Sequence, residues 1–281
     1  MKIYALTTGA VRVKHSFLVP SPGWRRQLDL FTPGKFSDPL PIHCWAIAHG
    51  GVLRLVDTGE TAAARNVPFA QPEVAREQEL PGAMAAAGLS PDDVAEVVIT
   101  HAHGDHIDGL VHVRGRILIN QTELRFLRSP MAQMMRRLLR QPLPRGFAPE
   151  PFVLDGGPFG AFPRSRALSE DGRIVVVDTP GHTPGHVSVI CVQDDGQHVM
   201  LAGDATDTLE QLHARRADAV ARDTDVHIAT LETILAHCAQ HPTVYLPSHD
   251  PDSAARLATA TTVRGDGPIS RHPAPLAVSL T

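Results

Sequence analysis

Tyrosine, cysteine and long apolar runs are all scarce in this chain, and each scarcity closes off a class of protein. The 281 residues include three cysteines, Cys44, Cys191 and Cys238, widely spaced and without a Cys-x-x-Cys pair. An odd, dispersed set gives no disulfide framework and reads as free thiols in a reducing cytoplasm. No apolar run approaches the roughly 18 residues of a transmembrane helix. The N-terminal segment is a poor secretory signal: Thr7 and Thr8 break its apolar stretch, and Arg12 and Lys14 follow where a small-residue cleavage site belongs. Neither charge sign dominates, since 26 Lys and Arg face 30 Asp and Glu for a net charge of -4. That balance argues against a general nucleic-acid or membrane-surface binder. No Gly-x-Ser-x-Gly setting for a nucleophilic serine occurs.

What the chain does have is an apolar fraction of 43%, enough for a two-layer core, and 16 histidines. Short apolar runs alternate with helical patterns. Strands are expected at 2–6, 96–99, 117–119, 173–178, 187–192, 198–203 and 243–247, and a hairpin at 44–56 turns at Gly50-Gly51. Helices are expected over 73–88, 121–139 and 225–240, with Ile228, Leu231, Ile234 and Leu235 on one stripe of the last. Residues 16–41, rich in Pro, Gly and aromatics, read as a long loop. This order gives an α/β class of mixed sheets covered by helices. The organisation expected is a single domain over 1–263 followed by a Gly-, Pro- and Ser-rich tail over 264–281.

The histidines concentrate where strands end. His101-Ala102-His103-Gly104-Asp105-His106 packs four candidate ligands into six residues. In an extended segment, residues two apart point the same way, so His101 and His103 can reach one ion. Gly104 permits a turn that aims Asp105 and His106 at a second ion nearby. Imidazoles and a carboxylate without thiolate suit zinc or iron. TPGHTPGH at 179–186 adds His182 and His186; the Pro-Gly pairs fix a rigid turn, and His182 is the ligand candidate because His186 opens the next strand. Asp204 follows the apolar strand VMLAG and His249 follows TVYLPS. An aspartate at a buried strand end is costly unless it meets a cation or donors.

The ordered set VDTG at 56–59, HAHGDH, TPGHTPGH, GDA at 203–205 and SHD at 248–250 resembles the metallo-β-lactamase superfamily over roughly residues 1–260. The resemblance implies an αββα sandwich of two mixed β-sheets flanked by helices, with a dimetal site at the sheet ends. It places His101, His103 and His182 on one ion, Asp105, His106 and His249 on the other, and Asp204 between them. Asp57 would support the site from behind, or else simply form a turn. The metals implied are two divalent ions, zinc first, with iron or manganese as alternatives.

Within the superfamily, His103 departs from the flavodiiron pattern, which has a glutamate there. His106 and the absence of a cysteine ligand depart from the β-lactamases proper. The segment PIHCWAIAHGGVLRLVDTG and the site pattern are most similar to the quorum-quenching N-acyl-homoserine lactone lactonases. Those enzymes commonly carry a tyrosine three residues after the bridging aspartate; this chain has Asp207 there, and only two tyrosines, Tyr4 and Tyr245, in all. The reaction implied is opening of a small-molecule lactone or ester by a metal-bridging hydroxide, with Asp105 and Asp204 as catalytic residues. Competing readings are a glyoxalase II-like thioesterase, a phosphodiesterase or phosphotriesterase, a mono-iron sulfur dioxygenase, and a metal-binding protein without catalysis. A homodimer is the family-level expectation; no nucleic acid or membrane partner is expected. The aromatic loop at 16–41 and the Leu/Met stretch at 124–139 read as the lining of an acyl groove, or else Met131, Met134 and Met135 simply pack a helix against the sheet. Arg136, Arg137 and Arg140 read as a solvated face or as an anchor for an acidic substrate.

Overall fold

The computed structural model describes residues 1–263. Alternating burial along the strands sorts the apolar residues into layers. The first sheet takes β1 (Lys2–Val13), β2 (Leu40–His49), β3 (Val52–Val56), β4 (Ala70–Glu73), β5 (Val94–Ile99), β6 (Arg116–Asn120) and β7 (Glu150–Phe152), in the spatial order β4-β1-β2-β3-β5-β6-β7. The second takes β8 (Ser165–Ala167), β9 (Ile174–Asp178), β10 (Val187–Val192), β11 (His198–Gly203) and β12 (Thr243–Pro247), in the order β12-β11-β10-β9-β8. Both are mixed: β3, β5, β6 and β7 run parallel, as do β11 and β12, while β1–β2, β2–β3 and β9–β10 are antiparallel.

Period two decides which residue enters which layer. Ile174 and Val176 of β9 meet Trp45, Val56 and Val98 of the first sheet in the core between the sheets. Val175 and Val177 point the other way, onto α7 (Leu209–His213) and α8 (Thr224–Gln240). In the first sheet Val97 and Ile99 turn outward onto Leu80 and Met84 of α3 (Leu80–Ala86) and Leu124 and Leu127 of α5 (Gln121–Leu127). Strands apolar on both faces therefore read as unbroken runs, and the result is the expected αββα sandwich.

The expected elements form, with four differences. β1 runs to Val13 rather than stopping at residue 6, because a bulge between Thr7 and Ala10 lets the strand continue; Gly9 supplies the φ of +95°. The segment 73–88 is not one helix. It opens on β4, which pairs with β1, and only Leu80–Ala86 is α-helical. The loop 16–41 contains a turn of helix at Arg25–Leu28, and its Phe17 and Leu30 pack with Val13 and Ile42. The helix expected over 121–139 is two, α5 and α6 (Pro130–Leu139), because Ser129 caps a new helix that starts on Pro130.

In α6 the reading of the methionines as core packing does not hold. No residue of this helix is buried, and Met131, Met134 and Leu138 are 42, 61 and 69% exposed. The expected tail at 264–281 lies outside the described residues. Cys44, Cys191 and Cys238 are free and buried, and among the described residues no helix is long and apolar enough to cross a membrane.

Candidate metal centre

Five strand ends converge at one edge of the sandwich. Asp57 follows β3, the His101–His106 run follows β5, His182 follows β9, Asp204 follows β11 and His249 follows β12. A rigid sheet holds each backbone exit while the loop beyond it aims the side chain. Gly203 shows how tight the exit is. Its φ is +57°, and a Cβ there would lie 2.8 Å from His186 Nε2 and 2.9 Å from Thr100. Glycine alone turns the chain here and leaves His186 free to accept the Asp204 backbone N–H at 3.1 Å. His186 thus sits behind Asp204, outside both ligand groups, as its strand-opening position suggests.

The structure gathers the seven candidate side chains into two groups, His101, His103, His182 and Asp204 in one, and Asp105, His106 and His249 in the other. Within each, one ligand atom per residue lies within 4.8 Å of all the rest. In the first group His103 Nδ1 faces His101 Nε2 at 3.0 Å and His182 Nε2 at 2.9 Å. Asp204 spans both: Oδ2 lies 3.7 Å from His101, 3.5 Å from His182 and 3.4 Å from His249, while Oδ1 lies 3.2 Å from His106 Nε2. Asp105 Oδ2 is 3.4 Å from His249 Nε2.

Cations fit this arrangement on chemical grounds. Imidazole nitrogens that face one another need a proton or a cation between their lone pairs. His106 Nε2 and Asp204 Oδ1, 3.2 Å apart, are buried and make no well-aligned hydrogen bond, which is costly unless a cation satisfies them. Burial lowers His101, and it takes His103 down to about 3, so both imidazoles stay neutral and able to ligate. His106 and His249 go the opposite way. Burial opposes their charge, but Asp204 beside both, with Asp57 and Asp105, holds them well above the ordinary histidine value. Asp204 is likewise held low against its burial by His106 and His249. The carboxylates demand positive charge here, which divalent ions would supply.

The far side of each ring is tied. His106 Nδ1 donates to Asp57 Oδ2 at 2.8 Å, His182 Nδ1 to Asp218 Oδ2 at 2.6 Å, and His249 Nδ1 to the Pro41 carbonyl at 2.9 Å. Each bond fixes the tautomer that leaves Nε2 free for a metal. Asp57, at a φ of +61°, also accepts from the Thr100 backbone N–H and hydroxyl at 2.8 and 2.7 Å, so it is much more than a turn former. Two supporting residues carry no sequence signal of this role. Asp218 sits in an unremarkable loop. Glu123 reads only as a first-turn helix acid, yet it is 1% exposed and accepts from the backbone N–H of Ala102 and of Gly185 and from the Thr183 hydroxyl.

Asp207 is 4% exposed, its Oδ2 has no hydrogen-bond partner, and burial beside Asp204 pushes it up to about 7. The buried Tyr245 hydroxyl is instead engaged with Thr206 at 2.9 Å. Next to the His101–His106 loop opens a cavity of about 890 Å³ bounded by Glu60, Gly104, Asp108, Leu124, Leu127 and one face of α6.

Comparison with known proteins agrees with this geometry. The family model for the metallo-β-lactamase superfamily matches residues 37–249. The chain is 21% identical over 231 residues to the N-acyl homoserine lactonase AttM of Rhizobium radiobacter, covering 79% of this chain and 86% of that one. Its fold is similar to that of an N-acyl homoserine lactone hydrolase solved with the product N-hexanoyl-L-homoserine at the catalytic metal center, with a TM-score of 0.67, 19% identity, and 90% and 95% of the two chains covered. It is also similar to AidC, a dizinc quorum-quenching lactonase, at a TM-score of 0.62 and 17% identity, over 89% and 87% of the chains.

Proposed function

The chain belongs to the metallo-β-lactamase superfamily, and from that premise we propose that it is a dinuclear metal-dependent hydrolase that opens a lactone or small ester, N-acyl homoserine lactones being the first class to test. The observation that carries this reading is the convergence of seven side chains from separate segments into two ligand groups with Asp204 spanning both. His101, His103 and His182 would hold one ion and Asp105, His106 and His249 the other, with Asp204 within reach of both. The donor set of imidazole nitrogens and carboxylates suits zinc, with iron and manganese as the alternatives. When bound, such a pair ionises a shared water, whose pKa falls from about 15.7 toward 7, and polarises the substrate carbonyl.

The chain's own residues do the rest. Asp57, Asp218 and the Pro41 carbonyl keep the ligating imidazoles in one tautomer and one orientation. Burial of Asp204 and the histidines keeps bulk water from competing at the reacting carbonyl. Asp105 is the most open of these carboxylates, its side chain 23% exposed against 6% for Asp204. It is placed to take the nucleophile's proton and return it to the leaving alkoxide.

The test is elemental analysis of the purified protein together with a panel of lactones, thioesters and phosphoesters. We expect two divalent ions per chain and turnover of lactones first. Asp204→Ala and His101→Ala lose both bound metal and hydrolysis. Full lactonase activity in a metal-free Asp204→Ala preparation would falsify the proposal.

A further inference from the structure

An amphipathic helix normally turns its apolar stripe inward. α6 does so only in part: Met135 and Leu139 are half-buried, and the rest of the stripe is not. Met131, Met134 and Leu138 face solvent, while Arg136, Arg137 and Arg140, at helical spacing on the other face, line the cavity beside the His101–His106 loop. Arg65 and Arg128 join them from neighbouring segments. Of the five, Arg136 is committed to the protein. It donates to the Ala102 carbonyl, between His101 and His103, at 3.1 Å and to the Pro142 carbonyl at 3.0 Å. It thereby fixes α6 against the metal loop.

Among the described residues the other four guanidiniums have no carboxylate partner, whereas arginines elsewhere do, such as Arg12 with Glu73, Arg54 with Glu96, Arg116 with Glu150, Arg164 with Asp178 and Arg256 with Asp250. Two carboxyls, Glu60 and Asp108, also line the cavity, but they lie against each other and Asp108 faces Arg136. Five cations against two acids leave the cavity with an excess of positive charge, above a floor of Leu124 and Leu127.

We propose that this cavity is a specificity subsite for a substrate whose acyl arm ends in an oxyanion, a carboxylate or a phosphate, held by Arg128, Arg137 and Arg140 while Leu124 and Leu127 pack its methylene stem. The inference rests on the hydrolase reading above and names the substrate class for the same site. Guanidiniums bind such groups with paired, charge-assisted hydrogen bonds, and a cavity wall screens them less than open solvent does. A wholly aliphatic arm would leave these charges unmatched.

The test is calorimetric binding of three probes to the protein as purified: octanoate, octanedioate and 8-phosphonooxyoctanoate. Each has one carboxylate for the metal end, and they differ only at the far end. We expect one or both of the probes with an anion at each end to bind at least tenfold tighter than octanoate, and whichever does identifies the oxyanion. Arg137→Gln/Arg140→Gln, at two exposed positions, removes most of that difference and leaves metal content and melting temperature unchanged. Equal affinities, or a preference that survives the double variant, overturn the subsite. Binding needs no turnover, so the two readings fail separately. Tight octanedioate binding without lactone hydrolysis sinks the hydrolase and keeps the pocket; lactone hydrolysis without end-group preference does the opposite.

Discussion

Asp218 touches no substrate and sits 36 residues from His182, yet their 2.6 Å contact decides which nitrogen of that imidazole meets a metal. The carboxylate has further commitments, since Oδ1 accepts the Ala221 backbone N–H at 2.6 Å and His227 packs behind it. Removing the negative charge while keeping the shape loosens the ring and lowers its basicity. Asp218→Asn is therefore expected to weaken metal retention and kcat/KM by about 10- to 100-fold, the usual scale for such outer partners. Dialysis against graded chelator with elemental analysis measures the first, and lactone kinetics the second. Wild-type metal retention in this variant would reduce Asp218 to a loop anchor. The same logic made Asp57 legible in advance, because it sits in the VDTG motif, and left Asp218 invisible. A contact made only by the fold leaves no local spacing to read.

Elements that carry one uninterrupted signal were readable, and those that change signal midway were not. β5, β9 and β11 are apolar on both faces and bounded by polar loops, so their run lengths announce them. β1 hides its second half behind Thr7, Thr8 and Gly9, where a bulge continues a strand that composition seems to end. α5 and α6 share one helical periodicity across the Ser129-Pro130 break, so period alone joins them and misassigns the inward face of α6. Between α5 and the site, Glu123 is the fastener. Its buried carboxylate ties the loop carrying His101 and His103 to the loop carrying His182, through Ala102, Thr183 and Gly185. Glu123→Ala orphans three buried donors and opens a cavity between the two loops. A stability loss of at least about 3 kcal/mol follows from three unmet donors at about 1–3 kcal/mol each, seen as a melting temperature lower by about 6–12 °C or more. A melt unchanged from wild type would mean that water replaces the carboxylate.

At the scale of the molecule, two clusters stand out among the histidines. One set converges on the metal centre. The other, His198, His237 and His241, stacks at the opposite end of β11 and α8 against Phe159 and Phe162, with His198 Nδ1 2.9 Å from His237 Nε2. The interactions that shift these rings include no acid: burial and then the neighbouring histidines take His237 down to about 3, and burial with His241 takes His198 to about 4. Unfolded, both titrate at the ordinary value of 6.5. Below that pH the unfolded chain binds protons that the folded chain refuses, so the stability from these two rings is whole above about 6.5 and drains away as pH falls toward 4. His198→Phe keeps a stacking ring, loses one titrating site and gives up one hydrogen bond worth about 1 kcal/mol at neutral pH. Its melting temperature should start slightly below wild type at pH 7.5 and fall less steeply between pH 7 and 5, at matched metal content. Parallel curves would place the acid sensitivity elsewhere, in the carboxylates and imidazoles of the metal centre.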